Sequence, residues 1–166
     1  MNKEIALQAK KALEIEMTAK GIPLKFLTFF LPQMALETAG FKSRVSTVNN
    51  FSGIKFNGHG YCFNSGIKSP EGNNYAGYSS KSLWAKDYLR IAKKDGLLLT
   101  KNYNEFLSQL QAKNYFTDTL ENYKKAFYSW LPQMNKLFND ISFKEIAAGG
   151  GVIMVLIFFT FLIIKL

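Results

Sequence analysis

In Pro32-Gln33-Met34-Ala35-Leu36-Glu37-Thr38-Ala39-Gly40 one carboxylate stands at the end of an apolar helical stretch, and Asn49-Asn50-Phe51-Ser52-Gly53-Ile54-Lys55 follows shortly after. A Glu on the last turn of a mostly buried helix is partly desolvated, which disfavours its charged form and keeps a proton on it at neutral pH. Such a group can donate a proton to a leaving oxygen, the first requirement of glycosidic bond cleavage. A second requirement is a group that activates water against the oxocarbenium-like sugar, or stabilises it, from the other side. Glu71, in Ser69-Pro70-Glu71-Gly72, is the only acidic residue between Phe41 and Lys86.

The pairing resembles glycoside hydrolase family 73, the peptidoglycan-cleaving glucosaminidases of flagellar-rod and autolysin type, within the lysozyme-like superfamily. Three further stretches carry the resemblance. Tyr75, Tyr78, Ser80 and Asp87-Tyr88 match the pattern that follows the family's hairpin. Asn114-Tyr115-Phe116-Thr117-Asp118 stands where the family has a late Gly-Tyr-Ala-Thr-Asp element, and Gly21-Ile22-Pro23 looks like the start of its catalytic helix. The likeness covers roughly Gly21 to Tyr123. Departures are Ser52, where an aromatic is usual, Ala39-Gly40 after the Glu-Thr, and Tyr123, which lies later than the Tyr that normally closes the late element.

The resemblance implies Glu37 as general acid and points to a carboxylate in the hairpin lobe for the second role, here Glu71. That carboxylate either activates water, as an inverting enzyme requires, or is secondary to the substrate's own acetamido group acting as nucleophile; the sequence does not choose. Tyr115 is expected to face the cleft, Asn50 to shape the turn beneath the acid and Phe51 its floor, with Tyr75 and Tyr78 stacking on sugar faces. The implied activity is cleavage of β-1,4 bonds in peptidoglycan glycan strands, of N-acetylglucosaminidase type and without a cofactor. Alternatives are a lytic transglycosylase or muramidase on the same fold, or a non-catalytic structural protein that retains it.

Other chemistries find little footing. A single cysteine, Cys62, excludes an intramolecular disulfide and a Cys-based zinc site, and a single histidine, His59, excludes a multi-histidine metal site. No serine has nucleophile-elbow spacing, and His59 in Asn57-Gly58-His59-Gly60 reads as a loop residue. The net charge of +9 is spread along the chain, with no basic tail or helix ladder. It fits attraction to anionic envelopes and names no nucleic-acid motif.

The elements that must position these groups are mainly helical. Asn2 can cap a first helix that Gly21 stops, and Pro23 fits the first turn of a second helix running to Glu37, with Pro32 expected to kink it. Phe41 to Ser79 is dense in Gly, Asn, Ser and Pro and predicts a loop-rich lobe with a short hairpin. Ser80 can cap a stripe of Leu83, Trp84, Tyr88 and Ile91, and Asn102 one of Tyr103, Phe106, Leu107 and Leu110. A further helix runs through Leu120, Tyr123 and Phe127, and Pro132 is expected to interrupt it.

From Ile146 to Ile164 there is no charged residue, close to the roughly 20 residues that cross a bilayer core. The expected organisation is a domain over 1–131, a juxtamembrane connector over 132–145 with Trp130 and Phe143 near the interface, and a transmembrane helix over 146–164; the stripe of Met134, Leu137, Phe138 and Ile141 reads equally well as the last core helix. The fold class is α+β, mainly α: a lysozyme-like helical domain with a small hairpin lobe, then one C-terminal anchor in the lipid bilayer. Met1 to Lys20 has no signal-peptide core. A terminal anchor leaves the preceding domain on the cytoplasmic side, away from peptidoglycan. The internal membrane of a bacteriophage virion, where that face turns toward the capsid, resolves the conflict. Capsid or other virion membrane proteins are then neighbours; a bacterial cell membrane is the other setting.

Overall fold

The structure is a computed structural model and describes residues 1–148, with side chains through residue 137. The chain divides into two compact units, Met1–Met134 and Asn135–Leu166. The first holds every residue singled out for chemistry.

Helix α1 (Lys3–Ala19) begins where Asn2 accepts a hydrogen bond from the Ile5 N–H at 3.3 Å. It ends in a Schellman turn, with Ile22 N–H donating to Met17 O at 2.9 Å and Gly21 at φ +64°. Ala6, Ala9, Leu13 and Met17 form its fully buried stripe, and the helix packs against α2 and α3. Pro23 caps a short 3₁₀ turn, Leu24–Phe26, that leads into α2 (Leu27–Glu37). Burial on all sides makes α2 the central helix: Leu27, Phe29 to Ala35 are all inside. Pro32 sits within α2 without ending it.

Past Glu37 the chain reverses through a run of left-handed residues, Ala39, Gly40 and Phe41, held by the buried Thr38. The Thr38 hydroxyl donates to Met34 O at 2.6 Å and accepts from Phe41 N–H at 3.2 Å. Gly40 (φ +70°) lies beneath Trp130, and a Cβ there would stand 2.6 Å from Cη2 of the indole. Gly40→Ala combines a left-handed strain with an overlap on a rigid ring. It is expected to destabilise the chain by about 3 kcal/mol, read by denaturant unfolding.

The lobe is a two-stranded antiparallel hairpin, β1 (Phe63–Lys68) and β2 (Asn74–Gly77), pairing Phe63 with Gly77, Asn64 with Ala76 and Lys68 with Asn74. Lys55 bridges to Tyr75 on the other side of β2. Helices α3 (Lys81–Lys94), capped by Ser80, and α4 (Tyr103–Ala112), capped by Asn102, follow as the sequence predicts. Trp84 and Tyr88 of α3 pack edge-on to Phe51 and Phe30, with centroids 4.8 and 5.1 Å apart. The core is thus an aromatic assembly around α2.

Helix α5 (Leu120–Ala148) corrects the expected break: Pro132 lies inside it. A proline removes one backbone bond from a helix interior, and the fully buried Phe127 and Met134 anchor the helix on either side of that gap. Trp130, expected near a membrane interface, instead covers Gly40. Among the described residues no helix is long and apolar enough to cross a membrane. The expected span 146–164 lies, from residue 149 on, outside them.

Candidate active site

The C-terminus of α2, the Gly53–Lys55 loop, the hairpin, the end of α3, the 113–118 loop and the start of α5 enclose a cleft of about 730 Å³. That volume falls within the roughly 300–1,000 Å³ of small-ligand sites. Glu37 lies on its wall, with Glu71, Tyr75, Tyr115 and Tyr123.

Asn50 explains why the Asn-Phe-Ser-Gly-Ile-Lys stretch accompanies the acid. Its buried Nδ2 donates to Ile54 O at 2.8 Å and to Ala76 O at 2.9 Å, while Oδ1 accepts from Ile54 N–H at 3.0 Å. One amide therefore closes the turn and ties it to β2. The turn brings Gly53 (φ +66°) so close that a Cβ there would meet Glu37 Cβ at 3.7 Å. Ser52, where an aromatic is usual in the family, faces inward and accepts from Trp84 Nε1 at 3.0 Å.

Glu37 is half-buried. The Tyr123 hydroxyl donates to its Oε1 at 2.6 Å, and the Tyr123 ring stacks on Phe116 at 3.7 Å. The contact engages Oε1 and not Oε2. Burial raises the Glu37 pKa; Tyr123, Gln33 and Lys55 pull in the opposite direction but do not cancel it. Burial likewise raises the phenols of Tyr115 and Tyr123, which stay protonated and neutral.

The raised pKa carries a sign for stability. The folded state holds its proton to higher pH than the unfolded chain, so stability is full below the ordinary value of 4.5 and declines as pH rises through the folded value. Glu37→Gln removes that dependence. The variant is expected to be more stable than wild type at about pH 7 and to show no such gain at about pH 4, measured by urea unfolding at both.

Glu71 contrasts with Glu37. It is exposed at the hairpin tip, 3.1 Å from Lys55 Nζ. The Ser69 hydroxyl and Lys55 hold its carboxyl below the ordinary range, so it is ionised at neutral pH. The cleft thus holds two carboxyl groups whose surroundings push their pKa values in opposite directions, Glu37 up and Glu71 down.

The structure brings Glu37, Glu71, Tyr75 and Tyr115 to the cleft and places Tyr78 away from it. Asn50 and Phe51 are buried in the floor, where they build the turn and pack on Trp84, and neither is exposed to a ligand. Tyr78 is also buried: its hydroxyl donates to Asp87 Oδ2 at 2.9 Å, so it cannot stack on a sugar. Asp87, itself fully buried, also accepts from Arg90 Nε at 2.8 Å. His59 is in a loop 3.8 Å from Asp87, off the cleft wall. Among the described residues no three His, Cys, Asp or Glu side chains are arranged to hold a metal ion.

Tyr123 is the site residue that sequence reasoning did not assign. It sits 86 residues from Glu37, in a stripe with Leu120 and Phe127 that reads as helix core. Its only signal was the displaced tyrosine of the late element.

The fold built around this cleft is that of a glycoside hydrolase domain. The glycoside hydrolase domain of FlgJ from Salmonella typhimurium superposes with a TM-score of 0.63 over 89% of this chain and 98% of its own, at 18% identity. No family model and no curated protein matches the sequence.

Proposed function

We propose that the protein is a peptidoglycan hydrolase that cleaves β-1,4 glycosidic bonds by general acid catalysis, with N-acetylglucosaminidase specificity. The observation that carries this reading is the half-buried Glu37, its pKa raised by burial and its Oε1 held by Tyr123, facing a cleft in a glycoside hydrolase fold. Glu37 Oε2–H protonates the glycosidic oxygen as the C–O bond breaks and its electron pair stays with that oxygen. Glu71, ionised at the hairpin tip, either activates the attacking water or supports the cationic sugar while the substrate's acetamido oxygen attacks. Tyr75 and Tyr115 border the glycan path.

A lytic transglycosylase is the second reading. It is favoured by the Lys55–Glu71 pair, which leaves the candidate base engaged. A zymogram on purified peptidoglycan separates both readings from an inert scaffold: a clearing band is expected from the full chain, and its absence from folded protein contradicts an enzymatic role.

The apolar run 146–164 supports a membrane anchor, in a virion or in a bacterial cell envelope. The full chain is expected to stay with membranes through alkaline carbonate, which strips proteins held by charge alone. Extraction by carbonate would show that +9 of net charge, and not a span, accounts for the association.

A further inference from the structure

Gln33 lies one helical turn before Glu37 on α2 and is completely buried. The Tyr88 hydroxyl donates to its Oε1 at 3.1 Å, which fixes the orientation of the amide. Its Nε2 is left buried without an acceptor. An open buried donor is uncommon in a folded protein and calls for a state that uses it. Glu37 supplies one. Donating its proton turns a half-buried neutral carboxyl into a carboxylate, which needs more donors than the acid did.

The groups facing Glu37 are Tyr123 of α5, Tyr115 of the 113–118 loop, Tyr88 of α3, Lys55 and Tyr75 from the hairpin side, and Gln33 of its own helix. The phenols are neutral, and Tyr123 already donates to Oε1. Gln33 adds a buried N–H that makes no hydrogen bond in this structure. Its presence favours the ionised form of Glu37, as it does those of Tyr115 and Tyr123.

We propose that Gln33 is a positioning residue for the proton donor: its Nε2–H closes onto the Glu37 carboxylate as the proton leaves, while Tyr88 holds the amide in the orientation that makes this possible. This rests on the reading of Glu37 as general acid. The proton passes from Glu37 Oε2 to the glycosidic oxygen, and the negative charge left on Glu37 is shared between the Tyr123 and Gln33 donors. The donor tunes acid strength without touching the substrate.

The test is a carbon-13 titration of the glutamate carboxyls in the full chain, with the Glu37 signal assigned by its loss in Glu37→Gln. Gln33→Met is expected to raise the Glu37 midpoint by about 1 on the pH scale. The alkaline limb of the pH–rate profile should move up with it, and plateau kcat should fall about tenfold at nearly unchanged KM. Tyr88→Phe should move the midpoint the same way by less. A packing role lowers stability without moving the limb. An unchanged midpoint in folded Gln33→Met overturns the proposal, and if that variant does not fold, an unchanged midpoint in Tyr88→Phe does so. Full activity in Glu37→Gln overturns the catalytic reading on which the proposal rests, whatever the titration shows. Loss of activity there with an unmoved midpoint overturns the role of Gln33 alone.

Discussion

Glu37→Gln is expected to lower peptidoglycan cleavage by roughly 100-fold to 10,000-fold, the range typical of losing a positioned general acid. The substitution keeps the shape of the side chain and leaves an amide oxygen for the Tyr123 hydroxyl, so the wall of the cleft should be retained. What it removes is the transferable proton. Because burial disfavours a charge at this position, the neutral amide also suits the site, and the inactive variant should be at least as stable as wild type at neutral pH. A loss of activity accompanied by a gain in stability is the combined signature of a functional acid held in a desolvated place. Loss of both would point to damaged folding.

Asp87→Ala is expected to cost about 3 kcal/mol of stability, as much as Gly40→Ala, and to act on the fold. Asp87 is fully buried and accepts from the Tyr78 hydroxyl at 2.9 Å and from Arg90 Nη2 at 2.7 Å. Removing it strands a buried phenol and leaves Arg90 without its counter-charge. Arg90 retains partial access to solvent, which tempers the cost. Asp87→Asn keeps most of the hydrogen bonding and should lose less. Since native domains are stable by only about 5–15 kcal/mol, the alanine variant should show a clear drop in thermal midpoint. An unaltered midpoint would mean that the Tyr78–Asp87–Arg90 cluster does not hold the lobe to α3.

The sequence was informative where local chemistry decides structure. Asn2, Ser80 and Asn102 cap the helices they were expected to cap, because a short polar side chain before an apolar stripe has few other uses. Glu37 and Glu71 were legible for the same reason: one ends an apolar helix and the other tips a Pro-Glu-Gly turn. Asn50, Phe51 and Tyr78 lie buried although a Gly- and Asn-rich lobe looks exposed. Their burial depends on contacts distant in sequence, such as Asn50 to Ala76 and Asn49 to Tyr78 O. Tyr123 was hidden by its helical stripe. Pro132 misled because proline's local preference yields when packed residues on both sides hold a helix together.

The most direct test of a peptidoglycan hydrolase working through Glu37 is mass spectrometry of borohydride-reduced peptidoglycan digests, prepared with the full chain and with Glu37→Gln. Reducing-end N-acetylglucosamine is predicted from the wild-type digest and its near absence from the variant digest. Anhydromuramic ends would assign the transglycosylase reaction, and reducing muramic acid the muramidase one. Equal release of reducing-end N-acetylglucosamine by wild type and folded Glu37→Gln would contradict the account at its centre.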